Sequence, residues 1–343
     1  MPETLVNLVG SPALAVLIGL TGVMAALTVN VLFLVWFERK VSAWIQRRMG
    51  PTEVGPFGLL QTIADMLKLL SKQLITPRHV DKPLYHAAPL VVFAPVVAAA
   101  ALFPFDRDVV LHNLDIGLVL VFTFGGLAIV GIFMAGWGSN NKYALLGAMR
   151  SVAQNISYEI PLILAALAVV LMSNSMEHGI VVDGKPLELN GLNLAHLAAL
   201  QDDKGFWFVL LQPVAAIIYL IAGLAETNRA PFDIPEAESE LVAGFHTEYS
   251  GMRFALFFFA EYSNMFIVAM SATVLFFGGW SGPLLPGAVW FFLKTYAIVF
   301  GMMWVRWTFP RLRFDQLMSF CWMVLIPLAI LNLLVTAFIA RAV

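Results

Sequence analysis

Long apolar runs alternate with short charged segments along most of the chain. A bilayer core about 30 Å thick is crossed by roughly 20 apolar residues in helical conformation. Eight windows of this kind occur, and each is predicted to be a transmembrane helix, which makes the expected fold an all-α polytopic membrane protein. The windows lie near residues 12–37, 86–105, 116–138, 151–173, 206–225, 254–278, 287–305 and 317–340.

A different periodicity appears between the first two windows. From residue 57 to residue 74, leucine and isoleucine recur at intervals of three and four, while Gln61, Asp65 and Lys68 occupy the opposite face. This pattern predicts an amphipathic helix that lies in the membrane interface instead of crossing the bilayer. Two interpretations stay open, a plain surface anchor and one side of a lateral gate that admits a lipid-soluble substrate to a cavity.

The basic residues divide unevenly between the two sides that eight spans create. With the N-terminus outside, fifteen Lys and Arg residues fall in cytoplasmic loops, four fall outside and Lys294 lies within a span. Because basic residues concentrate in cytoplasmic loops, both termini are predicted on the periplasmic or intermembrane side. Residues 1–343 are then a single integral membrane domain with an acidic cytoplasmic loop at 225–253.

Composition narrows the class further. Hydrophobic residues make up 60% of the chain and charged residues 12%, with a mean hydropathy of +0.84, whereas soluble domains carry about 25% charge. A net charge of -2 gives no basic excess for a nucleic-acid partner. Cys321, the single cysteine, cannot supply the ligands of an iron–sulfur cluster or a structural zinc, and the sequence contains no glycine-rich nucleotide motif.

The segment 151–161, SVAQNISYEIP, places polar groups inside a predicted span. Ser151, Asn155 and Glu159 are spaced by four residues and therefore share one helical face. A carboxylate within a membrane helix is costly to ionise, which makes Glu159 a candidate for proton transfer. The alternative is a polar contact between helices made by a permanently protonated Glu159.

The segment 225–253 combines acidic and apolar residues. Its carboxylates are Glu226, Asp233, Glu236, Glu238, Glu240 and Glu248. Clustered carboxylates that are partly buried are suited to a proton relay or an electrostatic switch. Cation binding is the competing use, but the spacing does not match a calcium loop. Glu261 follows inside the sixth window and extends the acidic series toward Glu159.

Several motifs occur in an order that resembles one family. They include ERKVSAWIQRRMGP at 38–51, SVAQNISYEIP at 151–161, RWTFPRLRFDQLM at 306–318, and the long stretch from AETNRAPFDIPEAE to FFFAEYSNM at 225–265. This series resembles the membrane subunit of proton-pumping NADH:quinone oxidoreductase, respiratory complex I, which is designated by the letter H in bacteria and by the number 1 in mitochondria. The resemblance covers most of the chain.

The resemblance implies a position where the membrane arm meets the peripheral arm, with a chamber that quinone, the substrate, enters from the bilayer. The implied chamber residues are Arg39, Asp65, Asp233, Glu236, Glu238, Glu240, Glu248, Arg306 and Arg311. The implied proton relay is Glu226, Glu261 and Glu159. The chain itself is expected to hold no catalytic residue, metal, flavin, haem or iron–sulfur cluster.

The expected partners are the soluble peripheral-arm subunits at the chamber, small and antiporter-like membrane subunits, quinone and membrane lipid, with no nucleic acid. The expected location is the bacterial cytoplasmic membrane or the mitochondrial inner membrane. Two alternatives remain: the equivalent subunit of a membrane-bound hydrogenase, which does not use quinone, and a stand-alone secondary transporter. The inverted repeat expected of a transporter is not visible in the sequence.

Overall fold

The computed structural model describes residues 12–107, 109–111, 113–176, 181–182, 185–186, 191–235 and 241–342. The α-helices are α1 (Pro12–Ile45), α2 (Gln61–Ser71), α3 (Lys82–Ala100), α4 (Gly117–Gly138), α5 (Lys142–Met176), α6 (Leu194–Lys204), α7 (Pro213–Glu226), α8 (Met252–Phe276), α9 (Gly287–Thr308), α10 (Phe314–Phe320) and α11 (Ile326–Ala342). A π-helical turn, Cys321–Leu325, joins the last two helices. Shorter elements are the 3-10 turns Pro56–Gly58, Phe208–Leu210 and Gly244–His246, and the antiparallel pair β1 (Val181–Val182) and β2 (Lys185–Pro186).

Within the described residues, seven helical segments are long and apolar enough to cross a bilayer. They are Val16–Ile45, Lys82–Ala100, Gly117–Gly138, Lys142–Met176, Met252–Phe276, Gly287–Thr308 and Phe314–Arg341. These segments coincide with seven of the predicted windows, which confirms the prediction of an all-α polytopic membrane protein.

The predicted span at 206–225 is shorter than expected. A 3-10 turn at Phe208–Leu210 interrupts the apolar run, and α7 begins only at Pro213, which has no amide hydrogen to continue a preceding helix. The 14 residues of α7 extend about 21 Å, less than the thickness of a bilayer core. Hydropathy does not distinguish a continuous helix from an apolar run that contains a turn.

Hydrogen bonds join the loops that the sequence assigns to the same side. The amide of Asn141 donates to Glu248, and Arg253 donates to Thr76, so three predicted cytoplasmic loops meet. On the opposite face, the backbone N–H of Leu118 donates to the carbonyl of Leu192. α7 is a shorter apolar helix between Gln212, which donates to Thr336 of α11, and Ala225, whose carbonyl accepts from Gln154 of α5.

The predicted surface helix is confirmed over its central part, α2. It begins later than residue 57 because Phe57 and Gly58 have positive φ angles of 55° and 76°, which an α-helix does not accommodate. A side chain at Gly58 would also collide with the carbonyl of Pro51. The indole of Trp36 on α1 donates to the carbonyl of Phe57 at 3.1 Å and fixes the start of this segment.

The most buried of the seven membrane-spanning segments are α5 and α8. In the apolar windows of these helices 56% and 61% of the residues are buried, compared with 11% in α1 and 17% in the C-terminal segment. α5 packs on α4, α7 and α11, while α8 packs on α3 and α9. α5 starts at Lys142, nine residues before the predicted window, so Glu159 lies near the middle of a 35-residue helix. Both helices that carry predicted intramembrane acids thus form the centre of the molecule.

Candidate functional site

Two arginines and two glutamates form a cluster of alternating charge, with Arg229 and Glu38 buried at its centre. The Arg229 guanidinium lies 3.0 Å from Glu38 Oε2 and 2.8 Å from Glu261 Oε1, measured from its Nη1 and Nε atoms. Arg306 donates a hydrogen bond to the other oxygen of Glu38. Side-chain exposure is only 4% for Arg229 and 7% for Glu38. The charges balance, which is the condition under which buried ions are tolerated.

Arg229 is held in its charged form. Burial alone would lower its pKa, but the carboxylates of Glu261 and Glu38 outweigh burial, and the pKa of the guanidinium is raised above its ordinary value. The guanidinium carbon also lies 4.1 Å from the centre of the Tyr262 ring, within the range of a cation–π contact. Arg229 therefore acts as a fixed positive charge between α1 and α8.

A cavity of about 180 Å³ lies beside the charge cluster. Its polar wall includes Glu226, Glu261, Asn155, Asn228 and His246, and its apolar wall includes phenylalanines of α8. The side-chain oxygens of Asn155 and Asn228 have no hydrogen-bond partner among the described residues. A polar cavity of this volume with free acceptors has room and partners for several water molecules.

Glu226 and Glu159 approach neighbouring glycines on α4. A Cβ atom placed on Gly125 would lie 3.0 Å from Glu226 Oε1, and one placed on Gly126 would lie 3.7 Å from Glu159 Oε1. The two carboxyl groups therefore reach the same turn of α4, where the absence of side chains makes room for them. The structure brings together two of the three predicted relay acids, and the third, Glu261, lines the cavity with Glu226.

The first part of the acidic loop is fixed by α5. The amide nitrogen of Gln154 donates to the carbonyls of Ala225 and Phe232, each at 2.8 Å. Both bonds are buried, and they hold the two ends of a tight loop that carries Arg229. Asn228 donates to the Ser151 hydroxyl at 3.3 Å.

Residues 231–235 contact the last predicted cytoplasmic loop. The backbone N–H of Leu312 donates to the carbonyl of Pro231 at 3.1 Å, and Arg311 forms a 3.1 Å ion pair with Asp233. Asp233 and Arg311, two of the predicted chamber residues, are therefore partners. The Arg311 side chain is 42% exposed, and the Asp233 side chain is largely buried.

The last part of the loop is anchored separately. The Asn141 amide donates to Glu248 Oε1 at 2.7 Å, and the Tyr85 hydroxyl donates to the Glu248 carbonyl at the same distance. The rings of Tyr85 and Tyr249 stack with their centres 4.3 Å apart. Glu248 lines an open groove of about 370 Å³ together with His79, and this groove is distinct from the cavity beside Arg229.

The remaining predicted chamber residues fall into three groups. Arg39 and Asp65 form a 2.6 Å ion pair between α1 and α2 in which both side chains are exposed. Arg306 belongs to the buried charge cluster. The predictions for Glu236, Glu238 and Glu240 fall outside the described residues.

Sequence reasoning missed Glu38 and Arg229 as site residues. Glu38 directly follows the long apolar run that ends at Phe37, a position where a charged residue usually marks the end of a span. Arg229 is the single basic residue between Glu226 and Asp233. A search for a counter-charge to the acidic loop would have singled out Arg229, whereas its pairing with Glu38, 191 residues away, has no local signal.

His246 lies at the cavity as a neutral imidazole. Burial lowers the pKa of His246 from its ordinary value of 6.5 to about 4. Its ring packs edge-on against Phe245 and Phe254. The charged residues that line the same cavity are Glu226, Glu261, Arg229 and Arg306. The imidazole therefore carries no charge at neutral pH.

Replacing His246 by glutamine is expected to weaken the acid sensitivity of the fold. The unfolded chain binds a proton at His246 as the pH falls below 6.5, while the folded chain does so only near pH 4, so wild-type stability decreases across this window by about 3 kcal/mol. Thermal unfolding midpoints at pH 7.5 and 5 measure the part of this loss that falls above pH 5, about 2 kcal/mol. The exposed His79→Gln serves as the control, and an equal acid shift in both variants would contradict the assignment.

In the described part of the chain, no group of three or more His, Cys, Asp or Glu side chains is arranged to hold a metal ion. The expectation that the chain holds no metal or redox centre stays a prediction.

The fold and the site define an integral membrane protein whose helices enclose charged groups beside a polar cavity. Comparison with known proteins identifies the family. The model of the NADH dehydrogenase family matches residues 18–337, and the chain therefore belongs to this family.

Curated relatives agree with this family over nearly the whole length. The H subunit of the NADH-quinone oxidoreductase of Desulfotalea psychrophila is 45% identical over 339 residues, covering 98% of each chain. The corresponding protein of Geobacillus kaustophilus, of the same name, is 47% identical over 343 residues, again covering 98% of each chain. That of Dehalococcoides mccartyi is 47% identical over 310 residues, covering 90% of this chain and 82% of the relative.

Proposed function

We propose that this chain is the subunit of a proton-translocating NADH:quinone oxidoreductase that forms the membrane side of the quinone chamber and couples quinone reduction to proton movement. It works with soluble peripheral-arm subunits, with small and antiporter-like membrane subunits and with lipid, and the electron carriers belong to those partners. The names of the curated relatives and the family match support this proposal. Its location is the bacterial cytoplasmic membrane, with both termini on the periplasmic side.

The coupling role is supported by a series of charged side chains that runs from the protein surface to its interior. Arg306, Glu38, Arg229 and Glu261 form one chain of ion pairs, and Glu261 and Glu226 line one cavity. From Glu226 the series continues to Glu159 across the glycines of α4. Carboxyl groups joined by water are able to pass a proton along such a series.

The proposed mechanism begins with the charge change that accompanies quinone reduction. Reduction of a quinone to a quinol takes up two protons, and this uptake alters the field at the acidic loop 225–253. Arg229 responds because it is a fixed charge that bonds both Glu38 and Glu261, so a shift of the loop changes which carboxylate it neutralises. Glu226 and Glu159 then take up or release a proton as the field at the cavity changes.

The other proposed chamber residues lie toward the cytoplasmic loops. Arg39 and Asp65 pair where α2 meets α1, which suits the side of an opening from the bilayer. Asp233 and Arg311 form a second pair, in which only the Arg311 side chain is exposed. Glu236, Glu238, Glu240 and Glu248 complete the proposed set. The hydrogenase alternative is weaker because the curated relatives are quinone oxidoreductase subunits.

Glutamine substitutions test the coupling role. In Glu159→Gln and Glu226→Gln enzymes we expect quinone reduction to continue at a reduced rate while most proton translocation is lost, because an amide is nearly isosteric with a carboxyl group but carries no transferable proton. Purified enzyme in liposomes allows the NADH oxidation rate and the acidification of the lumen to be followed together. Asp115→Asn, an exposed carboxyl group on the other loop face, is the matched control.

Full quinone reduction together with full proton translocation in both variants would contradict the proposal.

Gentle solubilisation and capture of the tagged chain tests the assembly. We expect NADH:quinone reductase activity that is sensitive to quinone-site inhibitors, together with flavin and iron–sulfur signals. Capture of a lone polypeptide without redox activity would contradict membership of the complex, and a hydrogen-evolving complex would favour the hydrogenase alternative.

A further inference from the structure

Pro161 lies inside α5, two residues after Glu159. In a regular α-helix the carbonyl of Ser157 would accept the amide hydrogen of residue 161, but proline has none. The sulfur of Cys321 lies 3.1 Å from the Ser157 oxygen in a buried position and donates its thiol hydrogen there. The thiol of the C-terminal helix thus takes the place of the hydrogen that the proline removes.

The partner helix is irregular at the same level. Cys321 is the first residue of the π-turn Cys321–Leu325, a local widening of the helix that is frequent at functional positions. The carbonyl of Leu317, one turn earlier, accepts a hydrogen bond from the buried Tyr158 hydroxyl at 3.0 Å. Two bonds therefore cross between the helices in opposite directions, one from Tyr158 to Leu317 and one from Cys321 to Ser157.

These bonds act on the turn that carries Glu159. Ser157 and Tyr158 directly precede Glu159, and Pro161 lies two residues after it. This turn therefore lacks the hydrogen bond that an amide at residue 161 would donate to the Ser157 carbonyl. Prolines in membrane helices are tolerated where a neighbouring helix satisfies the freed carbonyl. Without the thiol, the turn is free to tilt, and the Glu159 carboxyl group loses its fixed position beside Gly126.

We propose that Cys321 is a positioning residue for Glu159, because its thiol satisfies the Ser157 carbonyl that Pro161 leaves without a donor. This inference rests on the proposed role of Glu159 in proton transfer. Cys321 itself carries no proton to or from the relay. Its part is to keep the α5 turn in the orientation from which Glu159 and Glu226 meet at α4.

The test uses the assembled enzyme in liposomes and the number of protons moved per NADH oxidised. Cys321→Ala removes the donor, and we expect this ratio to fall by up to about fivefold, because one lost hydrogen bond changes the equilibrium constant between two positions of the turn by about that factor. Cys321→Ser keeps a donor and is expected to restore most of the ratio. Cys321→Val fills the space of the thiol but has no donor, so its ratio should match that of Cys321→Ala. This variant keeps the test valid if the smaller alanine side chain of Cys321→Ala reduces assembly.

A second set of variants isolates the bond. Pro161→Ala returns an amide hydrogen to the Ser157 carbonyl, so Cys321→Ala is expected to have little further effect when Pro161→Ala is already present. Simple addition of the two single effects would overturn the proposal. A wild-type ratio in both Cys321→Ala and Cys321→Val, or failure of Cys321→Ser to restore it, would overturn it as well.

The same measurements separate this inference from the proposed function. If Glu159→Gln moves protons normally, the relay is wrong, and the role of Cys321 in positioning Glu159 is wrong with it. If Glu159→Gln is impaired while the donor-free Cys321 variants pump normally, the relay stands and this inference alone is wrong. Impaired pumping in both, with rescue by Cys321→Ser, supports both.

Discussion

Replacing Arg229 by leucine is expected to destroy the stability of the folded chain. The substitution leaves Glu261 without its cation, while Glu38 keeps only Arg306 as a partner. Removing one partner of a buried ion pair costs about 3–5 kcal/mol because the other charge stays desolvated. A loss of that size is a large part of the stability of an ordinary protein. We therefore expect little assembled enzyme in the membrane.

The measurement is the amount and the thermal inactivation midpoint of the solubilised enzyme. Arg229→Lys retains the charge but lacks the planar group that bonds two carboxylates, so an intermediate midpoint is expected. Arg341→Leu, an exposed position near the C-terminus, is the matched control. Adding Glu261→Gln to Arg229→Leu should recover part of the loss. Equal midpoints for Arg229→Leu and Arg341→Leu would show that the cluster contributes nothing to stability.

Replacing Gln154 by leucine is expected to produce the second largest effect. Leucine is similar in size, but it donates no hydrogen bond, so the carbonyls of Ala225 and Phe232 keep only their local backbone donors, such as the N–H groups of Asn228 and Ile234. Each lost hydrogen bond costs about 0.5–1.5 kcal/mol. The loop that carries Arg229 loses its attachment to α5, so activity should fall together with the thermal midpoint.

Gln73→Leu is the matched control for this experiment because the Gln73 side chain is exposed. Both variants remove the same amide group, and only Gln154→Leu breaks two buried hydrogen bonds. The thermal midpoint and the NADH:quinone reductase rate of the two enzymes are compared with those of the wild type. If Gln154→Leu retains the rate and midpoint of Gln73→Leu, the two Gln154 bonds do not hold the loop.

Hydropathy predicted most of the fold because lipid imposes a simple requirement on length and polarity. It failed at residues 206–225, where Pro213 and a 3-10 turn divide one apolar run. It also placed the start of α5 too late, because Lys142 and Arg150 lower the hydropathy of a segment that is nevertheless helical. Polar residues end a membrane span without ending the helix.

The candidate site was predictable only where its residues share one helix. The spacing of Ser151, Asn155 and Glu159 indicated a polar face on α5, and this face does lead to Asn228 and the α4 glycines. The pairing of Glu38 with Arg229 depends on how distant helices pack, and no local period encodes it. The sequence likewise gives no sign that the Cys321 thiol meets a carbonyl of α5.

The low burial of α1 has a consequence for how the membrane acts on the site. Only 11% of its apolar window is covered by the rest of the chain, so surrounding lipid and neighbouring subunits largely set its tilt and depth. The end of α1 that is predicted to be cytoplasmic carries Glu38, the carboxylate that Arg229 and Arg306 share. A bilayer of different hydrophobic thickness would move α1 against the fixed α5 and α8. The lipid composition of the membrane would thereby change the distance of Glu38 from Arg229 and Arg306 at the centre of the protein.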